Sequence, residues 1–131
     1  MIFVDSNIPM YLIGAEHPNK GMARLLLERC IREGVRLVSD VEVLQEILYR
    51  YSAIRRLDAI QPAFDALLRV VDEVYPVHSA DVQRAKELLL GSSRISARDA
   101  LHAAIMERHE VTRLLSFDSA FDSLHWIERI K

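Results

Sequence analysis

Ile2-Phe3-Val4-Asp5-Ser6-Asn7-Ile8-Pro9 reads as a strand that turns into a helix with almost no loop between them. The apolar run is the kind that becomes a buried parallel strand. Ser6 and Asn7 are candidate helix caps, Pro9 suits a first helical turn, and Gly14 closes the short helix. A chain that begins in this way is building an α/β sheet, and such sheets bind ligands outside the carboxyl ends of their strands. Asp5 stands at that place. So does Asp118, which follows Arg113-Leu114-Leu115-Ser116-Phe117.

Strands and helices alternate between these two ends. His17-Pro18-Asn19 reads as a turn in which Asn19 caps a helix running to Gly34, with Met22, Leu25, Leu26 and Cys30 on its core face. Residues 35–39 form the second strand, and Asp40 caps a helix whose buried stripe is Leu44, Ile47, Leu48 and Tyr51. Glu46 lies beside that stripe. A helix over residues 57–71 presents Phe64, Leu67, Leu68 and Val71, and residues 74–77 form a third strand, which Pro76 assigns to a sheet edge. Ser79 or Asp81 opens the next helix, which ends near Gly91, and Gly91-Ser92-Ser93 makes a flexible loop. The helix from Ser96 to His109 sets Ala100, Leu101, Ala104 and Ile105 toward the core, with Asp99, His102 and Met106 on the other side. Residues 113–117 form a fourth strand, a polar turn spans Asp118 to Ser123, and residues 126–130 add a short last strand. This alternation implies a mostly parallel sheet of four or five strands covered by helices on both faces.

Asp5, Glu46, Asp99 and Asp118 each follow an apolar run or sit near the start of a helix, so convergence on one crevice is expected. Two carboxylates about 4 Å apart repel by roughly 4 kcal/mol at an effective dielectric near 20. Four together call for a divalent cation, and all-oxygen ligation suits Mg²⁺ or Mn²⁺ rather than zinc. Each acid also has an ordinary explanation. Asp5 can cap the first helix, although Ser6 and Asn7 serve equally well. Asp99 can answer a helix dipole, Glu46 can pair with Arg50 one turn on, and Asp118 can be a turn residue.

At 131 residues and 50% hydrophobic content the chain suits one domain, residues 1–131. A net charge of -2 gives no global basic field, so nucleic acid would have to be held by a local patch. Cys30 is the single cysteine and reads as a small core residue in a reducing compartment. No apolar run approaches the roughly 18 residues of a membrane span, and no signal peptide is apparent. A soluble, cytoplasmic protein is expected.

Val4-Asp5-Ser6-Asn7, Val43-Leu44-Gln45-Glu46-Ile47, Ala97-Arg98-Asp99-Ala100-Leu101-His102-Ala103-Ala104 and Ser116-Phe117-Asp118-Ser119-Ala120-Phe121-Asp122 occur in this order and span nearly the whole chain. Together they resemble the PIN domain, and more narrowly the VapC toxins of prokaryotic toxin-antitoxin pairs. The resemblance implies a three-layer sandwich around a central parallel sheet. It also implies a Mg²⁺- or Mn²⁺-dependent endoribonuclease that acts on RNA, is usually a homodimer and is held inactive by a cognate antitoxin. It carries the metal and catalytic roles to Asp5, Asp99, Glu46 and Asp118. Asp5 and Asp99 are then the principal ligands, Asp118 completes the site, and Glu46 coordinates a second ion or orients the attacking water.

Around these acids, Asn7 and Ser116 are candidates to support a ligand carboxylate. Arg98, with Arg94, is a candidate phosphate contact. His102, one turn after Asp99, reads as a packing or supporting residue. Tyr51 reads as core, Tyr49 is a possible base-stacking residue, and the role of Asp122 is open. Three other functions compete. One is a PIN-fold RNA-processing nuclease outside any toxin-antitoxin pair, and another is a nonenzymatic binding module with an acidic pocket. The third, a haloacid-dehalogenase-like phosphatase, would want an acid two residues after Asp5, where Asn7 stands.

Overall fold

β1 (Ile2–Val4), β2 (Leu37–Asp40), β3 (Glu73–Tyr75), β4 (Arg113–Leu115) and β5 (Glu128–Arg129) form one wholly parallel sheet in the order β3-β2-β1-β4-β5. These strands come from a computed structural model describing residues 1–92 and 94–130. β1 is central because it is apolar at every position and so can be covered on both faces. Its Ile2 lies opposite Leu37 on one side and Arg113 on the other, and Val4 opposite Leu115. The chain first adds strands on one side of β1, then crosses to the other. That reversal makes the crevice at the carboxyl end of β1 and β4 the switch point of the sheet. β3 is an edge strand, as Pro76 just after it requires.

The helices flank the sheet. α1 (Asn7–Ile13) packs against α2 (Pro18–Arg32) and α4 (Ile60–Leu68), and α3 (Val41–Ala53) contacts α4. α5 (Ser79–Gly91) packs along α6 (Ala97–Arg108). Among the described residues, no helix is long and apolar enough to cross a membrane.

Several expectations are corrected. α2 is capped by His17, whose Nδ1 accepts from the Asn19 amide at 3.0 Å, because Pro18 already occupies the first turn. Its buried stripe is Ala23, Leu26, Leu27 and Cys30, while Met22 and Leu25 are exposed. The small Ala23 shifts the contact line by one position. α2 stops at Arg32, and Gly34 takes the left-handed φ of 68° that lets the Val35 amide reach the Cys30 carbonyl at 3.0 Å. In α3, Val43 replaces Leu48 in the buried set with Ile47 and Tyr51, and Leu48 is exposed. The helix expected over residues 57–71 is a 3-10 turn (Leu57–Ala59) followed by α4, with Leu68 exposed and Phe64 and Val71 only partly covered.

β2, β3, β4 and β5 are each shifted or shorter than the apolar runs suggested. Gly91 belongs to α5, and Ser93 of the expected loop lies outside the described residues. The largest departure is α6, which is buried nearly all round. Met106 and His102, assigned to its outer side, are fully enclosed, and Leu101 is only half-buried.

Candidate functional site

Asp5, Asp118 and Asp99 are placed by strand ends or a helix start, and Glu46 by the second turn of α3. Asp5 directly follows β1, and its amide continues the sheet by donating to the Leu115 carbonyl at 3.1 Å. Its side chain is buried and fully engaged. Oδ1 accepts from the Ser6 amide at 2.7 Å, and Oδ2 accepts from the Ser116 hydroxyl at 2.6 Å and from the Asn7 amide group at 3.4 Å. Asn7 also donates to Ser116 Oγ at 3.1 Å and accepts from the Phe117 amide at 3.3 Å. Asn7 and Ser116 thus clasp the ends of two adjacent strands around the Asp5 carboxylate.

Asp118 sits just beyond the same clasp. Its amide donates to Ser116 Oγ at 3.0 Å, and its Oδ1 caps the turn at Ser119–Ser123 through the Ala120 amide at 2.9 Å. Asp99 lies in the first turn of α6, which Ser96 caps by accepting from the Asp99 amide at 3.1 Å. The Asp99 carboxyl is hydrogen-bonded to Asp118, and the Asp5 charge acts on it. Burial, that hydrogen bond and the charges of Asp5 and Asp118 push its pKa from 3.8 up to about 8. A carboxyl that keeps its proton near neutral pH marks a place withdrawn from water in which other carboxylates also lie close.

Glu46 enters from α3. Its Oε2 accepts from the Ser6 hydroxyl at 2.9 Å, and its Oε1 contacts His102 Nε2. Burial alone would raise the Glu46 pKa, but the hydrogen bond and charge of His102, with Ser6, bring it below the ordinary value. Asp5 moves the other way, raised chiefly by burial and further by the Glu46 charge, against the pull of His102 and Ser116.

His102 was expected only to pack or support. It lies on α6 with no exposure at all, its ring 5.4 Å from that of Phe3, and it faces three carboxylates. Nδ1 is 2.7 Å from Asp40 Oδ2, Nε2 meets Glu46, and Asp5 Oδ1 lies 3.8 Å away. Burial opposes a charged ring, yet Asp40, Glu46 and Asp5 together raise its pKa well above 6.5. Asp40 is the residue missed by sequence reasoning, which assigned it only as the cap of α3. It is that cap, through Oδ1 and the Val43 amide at 2.8 Å, but its second oxygen holds His102. The available signal was its position: Asp40 ends β2 as Asp5 follows β1.

The structure therefore brings all four expected acids to the carboxyl end of the sheet in two lobes. Asp5, Glu46 and His102 form one, with a donor atom from each within 4.8 Å of the others. Asp99 and Asp118 form the second. Asp122 does not join them; it pairs with Arg129 at 3.0 Å. Glu46 does not need Arg50, since His102 and Ser6 take both of its oxygens. A groove of about 570 Å³ opens beside the acids, lined by Asn7, Tyr11, His17, Glu46, Arg50 and Arg98 among others. Arg98 lies over the exposed Tyr49 ring, 4.2 Å from its centroid. The donor set offers oxygen at Asp5, Asp99, Glu46 and Asp118, which suits a hard divalent cation.

The description "PIN domain" belongs to the family model that matches residues 2–126. Ribonuclease VapC13 of Mycobacterium tuberculosis is 58% identical over 130 residues, covering 99% of both chains. Ribonuclease VapC23 of the same species is 39% identical over 123 residues, covering 94% of this chain and 97% of that one. Among solved structures, Mycobacterium tuberculosis VapC20, titled a Sarcin-Ricin loop cleaving toxin, matches with a TM-score of 0.79 at 23% identity, covering 98% of each chain. VapBC2 from Rickettsia felis, bound to a promoter DNA fragment, matches at 0.75 and 18% identity over 99% of this chain and 98% of that one. At those identities the solved structures speak for the fold, whereas the match to VapC13 extends along the sequence itself. On that full-length agreement, the chain belongs to the PIN domain family, among its VapC ribonucleases.

Proposed function

We propose that this chain is a metal-dependent endoribonuclease, the toxin of a toxin-antitoxin pair, and that it hydrolyses RNA phosphodiester bonds at the Asp5, Glu46, Asp99 and Asp118 cluster. The carrying observation is that distant segments bring Asp5 and Asp118 beside Asp99, where burial first and then these two carboxylates push its pKa up to about 8. Such a site is unbalanced until a cation neutralises it.

Asp5, Asp99 and Asp118 would hold the ion, Mg²⁺ or in its place Mn²⁺, with Asn7 and Ser116 fixing the Asp5 carboxylate. Bound there, a divalent cation supplies charge neutralisation for the scissile phosphate and acidifies the attacking water. Glu46, ionised at neutral pH and lining the groove, accepts the proton of that water. Arg98, in the same groove, offers a contact for an RNA phosphate. The working assembly is a cytoplasmic homodimer silenced by a cognate antitoxin protein. The test is cleavage of total RNA by the purified chain with Mg²⁺ and with chelator, beside Asp5→Ala and Asp99→Ala. Cutting that needs the ion and disappears in both folded variants supports the reading; cutting that survives chelation or either substitution refutes it.

A further inference from the structure

We propose that Asp40 and His102 form a buried bracket that positions Glu46, holding it in one orientation as the group that meets the attacking water rather than as a ligand of the metal. The proposal rests on the nuclease reading and names the groups that position Glu46 for the role given to it there.

The bracket is continuous from the sheet to the groove. Asp40 ends β2, with Oδ1 occupied by the Val43 amide at 2.8 Å, so its side chain is fixed at the first turn of α3. Its other oxygen takes His102 Nδ1 at 2.7 Å, and the opposite ring nitrogen reaches Glu46 Oε1. With a carboxylate at each nitrogen, the ring donates twice and cannot rotate without losing both bonds. Ser6 takes the remaining Glu46 oxygen at 2.9 Å. Asp40 and His102 have no exposed surface, whereas the Glu46 side chain keeps 12% of its area open and lines the groove. An aspartate, an imidazole and a hydroxyl are thus arranged around one carboxylate that alone reaches solvent.

Asp5, Glu46 and His102 also have donor atoms close enough to share an ion. The burial of His102 argues against that use, because Mg²⁺ keeps several of its waters and the enclosed ring nitrogen leaves no room for them. The ion is better served at the Asp5, Asp99 and Asp118 side.

Asp40→Asn is the discriminating variant, since asparagine still caps α3 and only the anionic partner of His102 is lost. It is compared with His102→Gln, Glu46→Gln and wild type in three measurements. These are Mn²⁺ affinity by calorimetry, kcat and KM on a labelled oligoribonucleotide that the wild type cuts, and the ring N–H proton resonances of apo protein labelled at histidine. Wild type should show two downfield ring protons, both absent in His102→Gln and one displaced in Asp40→Asn. Turnover should fall about 10- to 100-fold in Asp40→Asn, with KM and the Mn²⁺ Kd within about threefold of wild type. A tenfold or greater loss of Mn²⁺ affinity in both Glu46→Gln and His102→Gln would make them ligands and overturn the proposal. So would unchanged turnover in folded Asp40→Asn, or the absence of the paired ring protons. A wild type that neither takes up Mn²⁺ nor cuts RNA refutes the nuclease reading instead, and takes the role given to Glu46 with it.

Discussion

Replacing Asp99 by asparagine removes an ionisable carboxyl from the second acidic lobe while keeping its shape. In the folded protein the Asp99 carboxyl titrates near 8, against 3.8 for an ordinary aspartate, so folding favours its protonated form. The folded state therefore binds the extra proton throughout that window, and wild-type stability falls as pH rises from about 4 to about 8. At pH 7 the solution lies about three pH units above the ordinary midpoint, and each unit is worth about 1.4 kcal/mol, which sets a ceiling near 4 kcal/mol. Relaxation of the side chains around the charge brings the expected gain for Asp99→Asn to about 2–4 kcal/mol. In a chain of this length that is roughly 8–16 °C in Tm. The assay is thermal unfolding by circular dichroism in chelator from pH 4 to pH 8, and then with Mg²⁺. The variant should match wild type near pH 4 and exceed it increasingly toward pH 8. Mg²⁺ at a hundredfold excess over Kd should raise wild type alone, by about 2.7 kcal/mol. A variant that is no more stable than wild type at pH 7.5 in chelator would refute the reasoning.

Four further outcomes follow from the same geometry. Asn7→Ala or Ser116→Ala, which unfasten the Asp5 carboxylate, should weaken Mn²⁺ binding about 10- to 100-fold in a calorimetric titration. Because the ion must displace the Asp99 proton below pH 8, Mn²⁺ affinity should drop up to about tenfold per pH unit from 8 toward 6. Calorimetry at pH 7 in buffers of different ionisation heat should then find about one proton released per ion. Arg108→Ala leaves Asp81 buried without its two guanidinium bonds at 2.7 and 3.0 Å, and should cost about 1–2 kcal/mol in urea denaturation, since the arginine is partly exposed. Although burial raises the Asp81 pKa, Arg108 and the His78 amide hold it below 3.8, so that contribution is present at neutral pH and lost as acid protonates the folded carboxyl. Finally, Glu110 follows α6 at a φ of 57°, where a side chain is strained, and Glu110→Gly should raise stability by roughly 0.5–1 kcal/mol in the same assay.

Local text carried the architecture because β1 and β4 are short apolar runs with an acid just beyond them. Helix starts were readable wherever a small polar residue preceded the first turn, as at Asp40 and Ser96. Buried faces were less readable. Met22 and Leu25 looked like core because they are large, yet alanine decides which side of α2 lies against its neighbours. The enclosure of α6 was invisible because, besides its chain neighbour α5, it is covered by α3 and β2, which lie far away in the chain. Asp5, Glu46, Asp99 and Asp118 could be named from motif position, and their meeting is seen in the coordinates. The pairing of Asp40 with His102 could not be named, because a capping aspartate and a helical histidine separated by 62 positions carry no local mark of each other.

The clasp of Asn7 and Ser116 around Asp5 joins residues 109 and 111 positions apart. A ribosome that has synthesised only the first hundred or so residues has made Asp5 and Glu46 but neither Ser116 nor Asp118, and β1 still lacks one of its two flanking strands. The acidic cluster of such a protein is therefore completed only as its last strands are made. Termination anywhere before β4 leaves Asp5 without the Ser116 hydroxyl and Asp99 without Asp118.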